Sequence, residues 1–220
     1  MRDPERDAAE MAVRREKMLD TAYRLFSEHN IESVTMAEIA REAGYGNKTL
    51  HRYFNSKPAL VVAVATRRWE QFRESNRKRR PSADFEGMSA AEIFGFYLDS
   101  FLLLYREHKD LLRFNQFFNI YIRAEKVGAE TVRPYQGMIQ ALEAQFHGMY
   151  LKAQQDHTIR TDVPEIEMFS TTLHLMLAVV TRYAVGLVYQ PEEGFDAEKE
   201  LEYLRNAVLA GYKPISGEVL

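Results

Sequence analysis

The chain has 220 residues, of which 46% are hydrophobic, enough for one or two domains with a real core. It has no cysteine, which excludes a disulfide framework and a thiolate metal site. The start, MRDPERDAAEMAVRREK, is charged throughout and unlike a signal peptide, so a cytoplasmic protein is expected. The net charge of −3 is distributed unevenly. Residues 1–80 carry 17 Lys and Arg against 12 Asp and Glu, whereas the remainder carries 12 against 20, a basic head on an acidic body.

Residues 1–13 are polar and of mixed charge, and read as a frayed helix extension or a disordered tail. From Arg14 to His29, Met18, Leu19, Ala22, Leu25 and Phe26 recur at helical spacing and form one buried stripe. Arg14 and Arg15 belong to a solvated face or approach a phosphate backbone.

The stretch TMAEIAREAGYGNKTLHRYFNSK, residues 35–57, reads as two short helices joined by a tight turn. Thr35 with Glu38 three residues on makes a capping box, and Val34 and Ile39 take the staple positions around it. Gly44 ends the first helix, because glycine enters the left-handed conformation without steric cost. The second helix starts near Gly46 or Asn47. Leu50 and Phe54, four apart, share its inner face. Lys48 and Arg52 then point away from that face, flanked by Asn47, Thr49, His51 and Tyr53. A short helix with such a face, held behind a tight turn, fits a DNA major groove.

These residues resemble the DNA-binding segment of the TetR (tetracycline repressor) family. The likeness runs over about residues 17–64, in KMLDTAYRLFSEHN, TMAEIAREAG and TLHRYFNSKPAL. It implies an all-α protein with two domains, an N-terminal three-helix DNA-binding domain and a C-terminal helical bundle for ligand binding and dimerisation. It further implies a ligand-responsive regulator, a repressor, that binds a palindromic double-stranded operator as a homodimer and is released by a small effector. Thr35, Asn47, Lys48, Thr49, His51, Arg52, Tyr53 and Lys57 are the DNA-binding candidates. Thr35, Thr49, Tyr53 and Lys57 are expected at phosphates, and Lys48 and Arg52 at bases. The sequence departs from the family where Gly46 replaces a Ser or Thr cap, where Lys48 replaces a frequent Gly, and where His51 replaces a frequent Tyr. Asn47 therefore either caps the helix or reads a base.

The division expected is residues 1–56 for the DNA-binding domain, 57–80 for a linking helix and 81–220 for the body. Ser56 and Pro58 start the linking helix, which ends in Arg77-Lys78-Arg79-Arg80 before Pro81. Residues 81–88 read as a turn-rich linker. Helical patterns then cover about 89–108, 110–125, 130–155, 165–189 and 196–212, with Pro191–Gly194 as a loop.

Twelve aromatic residues lie between Phe94 and Tyr150, as core, as an apolar pocket, or as both. Phe101, Phe114, Asn115, Phe118, Tyr121, Met138 and His174 are the ligand-binding candidates. They suit an apolar or aromatic effector, since no cationic side chain stands among them. The apolar run in 165–189 falls short of the about 20 unbroken residues of a membrane span, because His174 and Arg182 interrupt it. No membrane partner is expected, and the run with the last helix suits a dimer interface.

No P-loop, G-x-G-x-x-G, G-x-S-x-G or H-E-x-x-H pattern occurs, so no metal, cofactor or catalytic residue is expected. A helical enzyme using the aromatic pocket and a DNA-binding protein without a ligand are the two alternative readings.

Overall fold

The computed structural model describes residues 4–79, 87–187 and 194–214. The expected 81–88 linker and 191–194 loop lie largely outside these residues, as does the end of the basic run at Arg80. The described residues form nine helices, α1 Pro4–Glu28, α2 Met36–Glu42, α3 Asn47–Tyr53, α4 Lys57–Lys78, α5 Ala90–Glu107, α6 Lys109–Ala124, α7 Ala129–Asp156, α8 Glu165–Val185 and α9 Ala197–Gly211. The all-α class expected from the helical periodicities is the observed one.

The chain divides into two compact units, which do not follow the linear division at 56 and 80. One comprises Met1–Phe72 with Arg113–Met138, the other Arg73–Leu112 with Ile139–Leu220. The division falls inside α4, α6 and α7, so most of α6 and the start of α7 belong with the head.

In the first unit the predicted stripe of α1 is the core: Met18, Leu19, Ala22, Leu25 and Phe26 are each at most 5% exposed. Ile39 and Ala40 of α2, Leu50 of α3 and Leu60, Val61, Val64 and Ala65 of α4 are buried with them. Two ion pairs fasten α4 to α1, Arg67 Nε to Glu16 at 3.0 Å and Arg68 to Asp20 at 2.7 Å. The start of α1 is helical from Pro4 on, and proline suits a helix's first turn, where its missing N–H has no intrahelical partner. Phe114 of α6 stands 5.4 Å from the ring of Tyr23 and 6.4 Å from that of Phe26.

In the second unit α5 lies against α8 and α9, which also pack on each other. Ser89 caps α5 in a capping box with Glu92, whose carboxylate is held below its ordinary range chiefly by the Ser89 backbone N–H. Asp156 accepts the Ala90 N–H at 2.7 Å, joining the end of α7 to the start of α5. The Tyr150 hydroxyl donates to the carbonyls of Thr161 and Val163, fixing the loop before α8.

α8 has the length and composition of a membrane-crossing helix, with a third of its apolar window buried inside the chain. It stops at Val185 rather than near 189, because Gly186 turns at φ +109°, a conformation that a side chain disfavours. Its buried stripe is Met168, Thr172, Met176, Val180 and Ala184. Leu175 and Val185 remain 41% and 53% exposed.

Candidate nucleic-acid interface

Local chemistry fixes the two ends of α2. Thr35 Oγ1 accepts the Glu38 N–H at 3.1 Å, and the Glu38 carboxylate reaches back to the Thr35 N–H. Val34 and Ile39 are buried on either side of this cap, as a staple requires. At the other end Gly44 adopts φ +78°. Its N–H meets the Arg41 carbonyl at 3.0 Å and the Tyr45 N–H meets that of Ala40 at 2.8 Å, the two bonds of a Schellman motif.

Gly46 is the N-cap of α3, and no side chain caps that helix. Asn47 is therefore the first residue of α3 rather than its cap, and its amide lies exposed. Leu50 is fully buried and Phe54 is 4% exposed, so the inner face is the one expected. Asn47, Lys48, His51 and Arg52 are all exposed, and Thr49 is half-buried. The outward face of α3 thus offers two cations, an amide and an imidazole, the groups that read donor and acceptor patterns in a major groove.

Two of the residues expected at phosphates, Tyr53 and Lys57, are half-buried in the head. The Tyr53 hydroxyl is buried without a hydrogen-bond partner among the described residues, while its ring centre is 6.5 Å from that of Phe54 and 5.9 Å from the Arg52 guanidinium. Lys57 is half-buried at the start of α4. Its Nζ donates to the Glu32 carbonyl at 3.1 Å and lies 5.5 Å from the centre of the Tyr121 ring. Burial lowers the Lys57 pKa, and the charges of Glu32 and Glu125 only partly oppose this. As it stands, Lys57 ties the loop before α2 to α6. Its four-carbon stem can reach either destination, and spacing in the sequence does not choose between them.

The seven ligand candidates are not brought together in one unit. Phe114, Asn115, Phe118, Tyr121 and Met138 lie in the first, Phe101 and His174 in the second. His174 is exposed, Phe101 is half-buried, and the other five are buried. Asn115 Oδ1 accepts the Trp69 indole N–H at 3.3 Å and the Tyr135 O–H at 3.4 Å. The Tyr135 ring is 4.7 Å from that of Phe118. Burial pushes the Tyr135 phenol up to about 12, and burial, with Glu125 and Glu32 nearby, does the same to Tyr121. Trp69 and Tyr135 are polar members of this aromatic cluster that were not among the ligand-binding candidates. Trp69 follows Val61 and Ala65 at four-residue intervals along α4, which marks it as a packing residue of the same side. A groove of 530 Å³ in the second unit, lined by Tyr105, Arg106, Lys109 and residues 194–199, includes none of the seven.

A capped helix, a glycine turn and a second helix with a polar outer face, packed on a longer first helix, define a helix-turn-helix protein. Residues 18–64 match the sequence profile of the bacterial regulatory proteins of the tetR family. The regulator BetI of Rhizobium meliloti is 43% identical over 52 residues, 24% of this chain and 26% of that protein. The regulator SAR2658 of Staphylococcus aureus is 32% identical over 99 residues, 45% of this chain and 51% of that protein. The chain thus matches between a quarter and about half of the length of these relatives. Among solved structures, FadR from Bacillus subtilis in complex with stearoyl-CoA has a TM-score of 0.67 at 16% identity, covering 89% of this chain and 98% of that one. A transcriptional regulator from Saccharomonospora viridis in complex with choline has a TM-score of 0.68 at 17% identity, covering 91% and 98%. Residues 18–64 are thus a helix-turn-helix domain of the tetR family, and about nine-tenths of the chain takes the fold of these structures.

Proposed function

We propose that the chain is a ligand-responsive transcriptional repressor that binds a palindromic operator as a homodimer and is released by a small apolar effector. The exposed face of α3 carries this reading, because Leu50 and Phe54 anchor the helix and leave Lys48 and Arg52 exposed on its outer side. Lys48 and Arg52 read guanine O6 and N7. Asn47, freed by the Gly46 cap, and His51 stand beside them. Thr35 and Thr49 meet phosphates, whereas Tyr53 and Lys57 do so only after leaving their present surroundings.

Pairing through α8 and α9 would cover Leu175, Val185 and the 78% exposed Tyr203. The aromatic cluster around Asn115 supports an apolar effector, and proteins of the same fold carry stearoyl-CoA and choline. Such an effector releases the operator only by binding the free form more tightly. A 100-fold preference supplies about 2.7 kcal/mol.

Selection of bound duplexes from a random-sequence pool tests the reading. The expected product is a two-fold symmetric site, with Lys48→Ala and Arg52→Ala each relaxing preference at one position per half-site by about 1–3 kcal/mol. No enrichment, or a profile unaltered by both substitutions, counts against it.

A further inference from the structure

We infer that α1 is part of the same nucleic-acid interface, with Arg15 and Lys17 contacting the duplex backbone at the two ends of α3. The inference rests on the DNA-binding reading above and adds a second element to it. The Arg15 guanidinium lies 5.3 Å from the centre of the Phe54 ring, at the C-terminal end of α3. The Lys17 ammonium lies 5.5 Å from the centre of the Tyr45 ring, in the turn that leads into α3. It is also 3.7 Å from the place where a Cβ on Gly44 would stand. The two cations therefore bracket the helix whose outward side chains are Asn47, Lys48, His51 and Arg52.

The charges of α1 differ in their partners. Its acidic residues on this stretch are neutralised against α4, Glu16 by Arg67 at 3.0 Å and Asp20 by Arg68 at 2.7 Å. Arg14 pairs with Glu10 at 3.2 Å along its own helix. Arg15 and Lys17 are exposed and make no ion pair with a carboxylate among the described residues. An aromatic face holds each cation in place without cancelling its charge, and leaves its hydrogen-bond donors open. α3 is seven residues long, about 10 Å, comparable to the major groove's width of about 12 Å. Long cations at both ends of such a helix stand within a side chain's reach of the phosphates that border the groove.

The test is the dependence of affinity on salt, measured by fluorescence anisotropy with a short random-sequence duplex. Each phosphate contact contributes about 0.9 to the slope of log affinity against log salt. Arg15→Gln and Lys17→Gln are each expected to reduce the slope by about one per bound subunit, and the double variant by about two. Arg15→Lys, which keeps the charge, is expected to restore it. Arg14→Gln changes net charge equally at the neighbouring position, where the guanidinium is paired with Glu10, and is expected to leave the slope near that of the parent. Circular dichroism melts show whether each variant remains folded. Slopes for Arg15→Gln and Lys17→Gln no different from that of Arg14→Gln overturn the inference while leaving the reading of α3 standing. A parent protein that binds no duplex at any salt concentration overturns both.

Discussion

Replacing Lys57 by Met separates two roles for the start of α4, a grip on DNA and a tie within the head. A hydrogen bond from a charged donor, such as that to the Glu32 carbonyl at 3.1 Å, contributes about 1.5–3 kcal/mol. The contact with the Tyr121 ring adds about 0.5–1 kcal/mol. Against these stands the desolvation that lowers the Lys57 pKa, and the side chain is only half-buried. The expected loss is therefore about 1–2 kcal/mol, or about 2–8 °C in Tm for a chain of this size. Urea unfolding measures it, and the combination with Tyr121→Leu shows whether the two losses are coupled. In parallel, the slope of log affinity against log salt should stay as it is in the parent. Unchanged stability with a slope reduced by about one unit would refute the tie and return Lys57 to the phosphate backbone.

Three further outcomes are expected. Asn115→Leu removes the acceptor shared by Trp69 and Tyr135 and leaves two buried donors unpaired, costing about 2–4 kcal/mol in urea unfolding; a loss below about 0.5 kcal/mol would mean that water replaces Asn115. The Tyr135 phenol titrates near 12 when folded and near 10 when unfolded, so its contribution is fully present below pH 10 and is lost as pH rises towards 12. About 3 kcal/mol should disappear across that window, and Tyr135→Phe should flatten the fall; identical profiles of stability against pH for the two proteins would exclude this cause. Leu175→Glu should yield a folded monomer in sedimentation, because Leu175 is 41% exposed, whereas Val180→Glu should unfold the second unit, because Val180 is fully buried. Dimers that survive Leu175→Glu would move the interface away from this side of α8.

What the sequence made legible is what a few neighbouring residues decide. The box at Thr35 and Glu38, the staple of Val34 and Ile39 and the left-handed Gly44 each depend on contacts within six residues, and all three are present. The same kind of signal stood at Ser89 and Glu92, where S-x-x-E marks the start of α5. The exposure of His174 was legible in its spacing. The buried positions of α8 run 168, 172, 176, 180 and 184, and residue 174 lies halfway between two of them, about 200° around the helix from either. Its neighbours in sequence are apolar, but periodicity places it outside. The end of α8 was missed for the opposite reason, since the apolar run continues past Gly186 while the backbone does not.

The destination of α6 was beyond local reading. Phe114, Asn115, Phe118 and Tyr121 follow one another at i, i+1, i+4 and i+7, which fixes a common side of α6 but says nothing of what covers it. In the structure that side belongs to the head: Phe114 meets Tyr23 and Phe26, Asn115 meets Trp69, and Tyr121 meets Lys57. The aromatic density that suggested a ligand cavity is thus also the packing that positions α1 and the start of α4. An effector that displaced the Tyr121 ring would remove one of Lys57's two partners and leave its ammonium half-buried against a carbonyl alone. Since burial already disfavours the charged form there, the lysine would move outward, towards water or towards phosphate. Any ligand acting on this cluster acts on the first turn of α4 by the same contact, whichever sign the effect on DNA affinity takes.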